Sequence, residues 1–336
     1  MTWRRAMRSA LYGPGGFYAR GERPARHFRT SVRASPRYAA AMLTLLTAVD
    51  EALGRPPQVD VVDVGAGGGE LLGQLLAAVP AALGERLAAH AVEITPRPAG
   101  LDPRIRWRQA PPRRITGLVI ASEWLDNVPL DVAEQTPRGP RLVLVDRATG
   151  AERPGGPPSP ADLAWLAAWW PPAPGGRAEI GRPRCEAWAG LVARLTRGLA
   201  VAADYGHRQA DRPRHGTLTG YLEGRQVPPV PDGSRDITAH VALDACARAG
   251  RGAGATATLL SSQRRVLRAL RIEGGRPPLA LADRDPAGYL AALCLASQEA
   301  ELIDPAGLGG FGWLVQAAGI PLPPPLAALA RQERAA

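Results

Sequence analysis

A β-branched run ending in glycines, Val61-Val62-Asp63-Val64-Gly65-Ala66-Gly67-Gly68-Gly69-Glu70-Leu71-Leu72, predicts a buried parallel strand, a bare-backbone turn and the start of a helix. Glycines at 65, 67 and 69 let a ligand approach the main chain, or let the turn take a positive φ that other residues adopt only with strain. Sites of this kind lie at the carboxyl ends of strands in open α/β sheets. The dinucleotide fingerprint needs a third glycine where this chain has Glu70. A carboxylate at a helix N-terminus is also a poor neighbour for a pyrophosphate. A P-loop is excluded, because all 41 basic residues are Arg and the chain has no Lys. A cofactor without phosphates suits the turn better. S-adenosylmethionine, with a ribose, an adenine, a zwitterionic tail and a sulfonium, is such a group.

Two more strand ends support a cofactor crevice. Leu87–Ile94 reads as the next strand and delivers Glu93, an acid placed to accept hydrogen bonds from ribose hydroxyls. Gly117–Ala121 reads as a short apolar strand that carries Ser122, Glu123 and Asp126 to its end. Each feature has an ordinary structural explanation. A glycine turn is weak evidence in a chain with 38 Gly, Glu93 alone is a solvated strand-end acid, and Ser-Glu-x-x-Asp alone is a turn or a helix cap. Strand context and order together favour the cofactor reading.

The motifs resemble those of the MidA-type S-adenosylmethionine-dependent methyltransferases. That family includes mitochondrial proteins that methylate an arginine on a respiratory complex I subunit. Ala10–Tyr18, containing Leu11-Tyr12-Gly13-Pro14, is similar to the family's opening segment, and Phe28-Arg29-Thr30-Ser31 to its Asp-Phe-x-Thr-Ser. Asp63–Gly67, Val92-Glu93-Ile94 and Ser122–Pro129 follow in family order. Asp204-Tyr205-Gly206, Gly216–Tyr221 and Asp236–Val241 complete the set. The resemblance implies an α/β fold: a Rossmann-like class I methyltransferase sheet, seven-stranded and mostly parallel, with an inserted helical and hairpin subdomain and an N-terminal arm. It implies S-adenosyl-L-methionine as cofactor, with Asp63, Gly65, Gly67, Gly69, Glu93, Ser122, Thr30 and Ser31 binding it. Three departures stand out: Arg26-His27 replaces Gly-Asp, Ser122 replaces Asn, and Gly309-Gly310-Phe311-Gly312-Trp313 replaces a segment that usually carries Phe-Lys.

Methyl transfer is a direct displacement, in which the protein supplies orientation more than acid-base chemistry. If arginine is the acceptor, carboxylates must grip its five-donor fork. Glu123 and Asp126, three apart, are the candidate catalytic pair, and a turn would bring them to one side. The resemblance implies an arginine in a protein acceptor. A small-molecule acceptor, or an idle cofactor-binding assembly factor, is the alternative raised by the departures.

The expected organisation is an arm and helix over 1–57, a first half-core over 58–130, a hairpin and helical insertion over 131–197, a second half-core with a covering loop over 198–320, and a loose tail over 321–336. Trp165, Trp169 and Trp170 read as core packing. The five His show no ligand spacing, so no metal is expected. Cys185, Cys246 and Cys294 are odd in number and far apart in sequence, which predicts no disulfide framework and a cytoplasmic setting. No leader or membrane span is expected. The net charge of +10 comes from scattered arginines with few aromatics between them, so no nucleic-acid partner is expected. The oligomeric state is not legible.

Overall fold

The computed structural model describes residues 1–20 and 30–335. Arg26, His27, Phe28 and Arg29, named above, lie outside them. The chain forms two compact units. The sheet unit comprises Thr30–Ser122, Leu191–Ala203 and Gly254–Ala336. The second comprises Met1–Arg29, Glu123–Gly190 and Asp204–Ala253. In chain order the strands are β1 Val59–Val64, β2 Leu87–Val92, β3 Ile105–Arg108, β4 Ile115–Ser122, β5 Asp131–Thr136, β6 Gly139–Val145, β7 Glu152–Pro154 and β8 Arg177–Ile180. They continue as β9 Leu195–Asp204, β10 Gly206–His207, β11 Thr219–Leu222, β12 Arg225–Val227, β13 Asp236–Thr238, β14 Val241–Ala242, β15 Ala257–Ser262 and β16 Gly312–Ala318.

The sheet unit holds the expected seven-stranded sheet, in the order β15-β16-β9-β4-β1-β2-β3. β1 runs parallel to both β2 and β4, β2 to β3, and β4 to β9, while β15 and β16 are antiparallel. All of β1 is buried, as a strand covered on both faces must be. Its Asp60 is accommodated by the Thr116 amide at 2.9 Å and by His90 at 3.6 Å. The helix Pro36–Leu53 begins as its sequence predicts. Ser35 accepts from the Arg37 amide, Pro36 sits in the first turn, and Gly54 ends the helix at φ +81°. It packs on the helix Glu70–Ala78 and on β4.

The second unit has a four-stranded sheet, β7-β6-β5-β8, a three-stranded sheet, β12-β11-β13, and a β10-β14 pair. The predicted hairpin is β5 and β6, antiparallel. Several expectations are corrected. Residues 3–12 of the N-terminal segment form a helix, and its Trp3, Met7 and Leu11 are fully buried in a core with Leu130, Val132 and Ile237. The covering loop expected within 198–320 is not all loop, since residues 207–235 contain β11 and β12. Thr238 and Val241 are in strands, and the next helix starts at Leu243. The tail is not loose. Pro324–Ala335 is a helix that packs on β15 and buries Leu326, Leu329 and Ala330. Helical spacing of those apolar residues outweighs the preceding prolines, which suit a helix start. Cys185 and Cys246 are not far apart in space: their sulfurs are 3.9 Å from each other in the second unit. Among the described residues no helix is long and apolar enough to cross a membrane.

Candidate functional site

At the end of β1 the chain turns through Gly65, Gly67 and Gly69, at φ +74°, +57° and +81°. The left-handed conformation favours glycine at each. A Cβ at Gly69 would also lie 2.9 Å from Leu101 Cδ1, so that side chain would have to shift. The Gly67 amide donates to Glu93 Oε2 at 3.0 Å, and Glu93 Oε1 accepts from Ile94 and Thr95 at 2.7 and 3.1 Å. The Gly68 amide donates to Glu70 Oε2 at 2.9 Å. The turn that delivers Glu93 is therefore held by the carboxylate itself. Burial, then the charges of Glu93 and Glu70, push the Asp63 carboxyl up to about 7. Three acids thus surround a turn whose amides already serve two of them.

This arrangement does not suit a pyrophosphate, whose charge the acids would repel. It suits a ligand that brings positive charge and hydroxyl donors, which a sulfonium, an ammonium and a ribose supply. Ile94, next to Glu93, is 51% exposed and offers an apolar face. The residues fit S-adenosyl-L-methionine on this ground.

Ser122, Thr30 and Ser31 belong to the same unit. The Ser122 and Tyr38 hydroxyls are 2.7 Å apart, and Tyr38 meets Trp313 edge to face. Trp313 Nε1 donates to Gln263 Oε1 at 3.0 Å, and Gln263 Nε2 donates to Ser31 Oγ at 3.2 Å and to the Leu302 carbonyl at 3.1 Å. Ser31 is buried, so its hydroxyl supports the wall. Thr30 is half-buried and its carbonyl starts the short helix Ser31–Ala34. Tyr38, Gln263 and Trp313 were not picked out as site residues in the sequence. A tyrosine on an apolar helix face carries no signal of its hydroxyl partner.

The acid turn after β4 lies in the second unit. Glu123 has φ +52°, which is strained for a residue with a Cβ. Leu125–Asn127 is a single 3-10 turn, whose Leu125 and Asp126 amides donate to Asp204 Oδ2 at 2.9 and 3.2 Å. Asp126 is 3% exposed and accepts from Thr238 Oγ1 at 2.7 Å. Asp126, named in sequence as the partner of Glu123, is thus a buried acid whose Oδ2 is engaged by Thr238. Burial raises the Asp126 carboxyl. Burial, then the charge of Asp126, raises Asp204 well above the carboxylate range and Asp236 to about 8. The N-terminal motif serves this turn. Tyr12 and Tyr18 stack, and their hydroxyls donate to Asn127 O and Asn127 Oδ1 at 3.0 and 3.1 Å.

Arg184 gave no signal in the sequence, yet it organises the turn. It is 1% exposed and donates to the carbonyls of Val128 at 3.1 Å, Ala239 at 2.7 Å, His240 at 2.9 Å, and Asp126. Among the described residues no group of three or more His, Cys, Asp or Glu is placed to hold a metal.

A parallel sheet with a glycine turn after one strand and an acid after the next defines the Rossmann-like class I methyltransferase architecture. A family model described as "Putative S-adenosyl-L-methionine-dependent methyltransferase" matches residues 42–260. A solved structure from Burkholderia thailandensis, described as a "likely methyl transferase" bound to S-adenosyl-homocysteine, is similar at 28% identity, with a TM-score of 0.79, over 96% of this chain and 88% of that one. An uncharacterized protein of the same superfamily from that organism is 30% identical, with a TM-score of 0.77 and the same coverage. No curated protein matches. The chain belongs to this family of S-adenosyl-L-methionine-dependent methyltransferases.

Proposed function

We propose that this protein transfers a methyl group from S-adenosyl-L-methionine to an arginine side chain of a protein acceptor. The observation that carries the cofactor half is the trio Asp63, Glu70 and Glu93 around a positive-φ glycine turn. Glu93 takes the ribose hydroxyls. Gly65, Gly67 and Gly69 let the ligand lie against backbone, and Asp63 offsets its positive charge. Ser122, Thr30 and Ser31 shape the wall. When bound, the cofactor would supply an electrophilic methyl for the acceptor nitrogen and leave as S-adenosylhomocysteine, with the displaced proton passing to solvent. Glu123, held strained at the strand end, grips the guanidinium, and Asp126 and Asp204 hold the turn that carries it.

The acceptor half rests on the resemblance and on Glu123. It is tested by transfer of labelled methyl into whole lysate. Protein-bound label on arginine supports it, and label only in extractable small molecules defeats it. In Glu123→Gln, turnover is expected to fall at least a hundredfold with cofactor affinity within twofold of wild type. Unaltered turnover would remove the gripping role.

Gly67→Val is expected to abolish binding of S-adenosylmethionine and S-adenosylhomocysteine in calorimetry while the protein stays folded. A Cβ at Gly67 meets only Glu70 Oε2, at 3.9 Å, so the fold has room for it. The intruding side chain blocks the ligand's approach, and the φ of +57° adds local backbone strain in the turn itself. Wild-type affinity in this variant would take the turn out of the site.

Asp63 gives a pH dependence. A bound cation favours the ionised carboxyl, so binding lowers its pKa from about 7 and releases a proton. Affinity for S-adenosylmethionine is therefore expected to weaken as pH falls from 8 to 6, by less than tenfold per pH unit for one proton. The slope should be shallower for S-adenosylhomocysteine, which lacks the sulfonium charge. Persistence of the full slope in Asp63→Asn would assign it elsewhere.

A further inference from the structure

The second unit holds two thiols that methyl transfer does not use. Cys185 lies on the helix Arg182–Val192 and Cys246 on the helix Leu243–Gly252. Their sulfurs are 3.9 Å apart, although 61 positions separate them in sequence. A disulfide needs its sulfurs at about 2.05 Å, a closure that rotation about the Cα–Cβ bonds can supply once they already touch.

The two thiols are not equivalent. The hydrogen bond from Cys246, helped by the charge of neighbouring Arg184, pulls the Cys185 thiol below its ordinary range against its burial. The same bond and its own burial push the Cys246 thiol well above. Cys185 is therefore the partner with thiolate character, the form that attacks an oxidant. It is also the less covered, at 7% exposed against 1% for Cys246. Hydrogen peroxide is close to water in size and needs to reach Cys185 alone.

A bond here would join what Arg184 already joins. Arg184, one residue before Cys185, donates to the Ala239 and His240 carbonyls, and the helix that carries Cys246 begins at Leu243. A link between 185 and 246 closes that junction a second time. It also closes a long loop, which restricts the unfolded chain.

We propose that Cys185 and Cys246 are an oxidisable pair that hydrogen peroxide converts to a disulfide clamping these two helices. The Cys185 thiolate attacks one peroxide oxygen, the O–O bond breaks, and the departing hydroxide takes the thiol's proton to become water. This leaves a sulfenic acid on Cys185. The Cys246 sulfur then attacks the Cys185 sulfur, the S–O bond breaks, and the departing hydroxide takes the Cys246 proton to become the second water. The two thiols lose two electrons, and the peroxide gains them. The pair stands apart from the methyl-transfer reading and from its acceptor.

The test uses the full chain carrying Cys294→Ser, which removes the exposed third thiol. The folded protein is treated with hydrogen peroxide, the excess is destroyed, and free thiols are alkylated in urea. Mass spectrometry of the unreduced digest is expected to show a peptide pair linked through 185 and 246. The urea unfolding midpoint is expected to rise on oxidation and to return with dithiothreitol. Cys246→Ala should leave a sulfenic acid on Cys185 that dimedone captures, whereas Cys185→Ala should leave Cys246 unlabelled. The linked peptide and the midpoint decide the matter if either alanine variant does not fold by circular dichroism. Three results would each overturn the proposal. One is alkylation of both thiols after exposure well beyond that which oxidises Cys294 in the wild-type chain. The others are a lower unfolding midpoint for the linked protein, and dimedone on Cys246 in place of Cys185.

Discussion

Arg184→Ala is expected to lower stability by about 3–5 kcal/mol, the range seen when one partner of a buried charge network is removed. The guanidinium serves four carbonyls from two separate segments, 126–128 and 239–240. Its removal takes a donor from each of the four carbonyls, and among the described residues the Asp126 carbonyl keeps only the Ala239 amide at 3.3 Å. It also removes the positive charge that burial disfavours and that Asp126, Asp204 and Glu179 draw on. These carboxyls, raised already by burial, would rise further and take up protons. Arg184→Lys should recover only part of the loss, because an ammonium cannot span the fan of carbonyls that a planar fork reaches. Urea unfolding midpoints of the three proteins measure this. A shift in Arg184→Ala worth less than about 1 kcal/mol would mean the fan contributes no more than ordinary neutral hydrogen bonds.

Gly117→Val is expected to prevent formation of the sheet unit, seen as loss of soluble protein or a loss of more than about 4–5 kcal/mol, among the largest single-residue effects. Gly117 lies on β4 opposite Asp60 of β1, at φ +150°. A Cβ there would lie 2.8 Å from the Asp60 nitrogen and collide with its carbonyl oxygen. Gly198 on β9 faces Gly117 at φ +141° under the same restriction. Backbone on both sides cannot yield as a side chain would, so the two glycines fix how closely the central strands approach. A Gly117→Val protein that is soluble with a wild-type melting temperature would refute this.

The central strands were legible because they are apolar runs bounded by glycine and polar residues, whereas the count of seven came from the family resemblance. The turn at 65–69 was legible because positive φ leaves glycine as its own signature. The helix Trp3–Tyr12 was not legible. Its buried residues lie among four arginine and serine positions, and the aromatic punctuation resembled a loop. Glu123 stands out in the sequence by its place after a strand, whereas the burial of Asp126 was hidden. Spacing along the chain places two acids on one side of a turn but does not say that Thr238, more than a hundred residues later, covers one of them. The same holds for Cys185 and Cys246, whose neighbourhood comes from two different helices.

By itself, the sequence determined the order of strands, the glycine turn and the acid that follows the next strand, since these depend on local backbone preference and on periodic burial. Only the tertiary structure decided which polar atoms meet. Arg184 found its four carbonyls, the Thr217 and Leu218 amides found Glu179, and Gln263 joined Ser31 to Trp313. A hydrogen bond between segments far apart in the chain leaves no period to read, because burial forces donors and acceptors to pair only once the fold has brought them together.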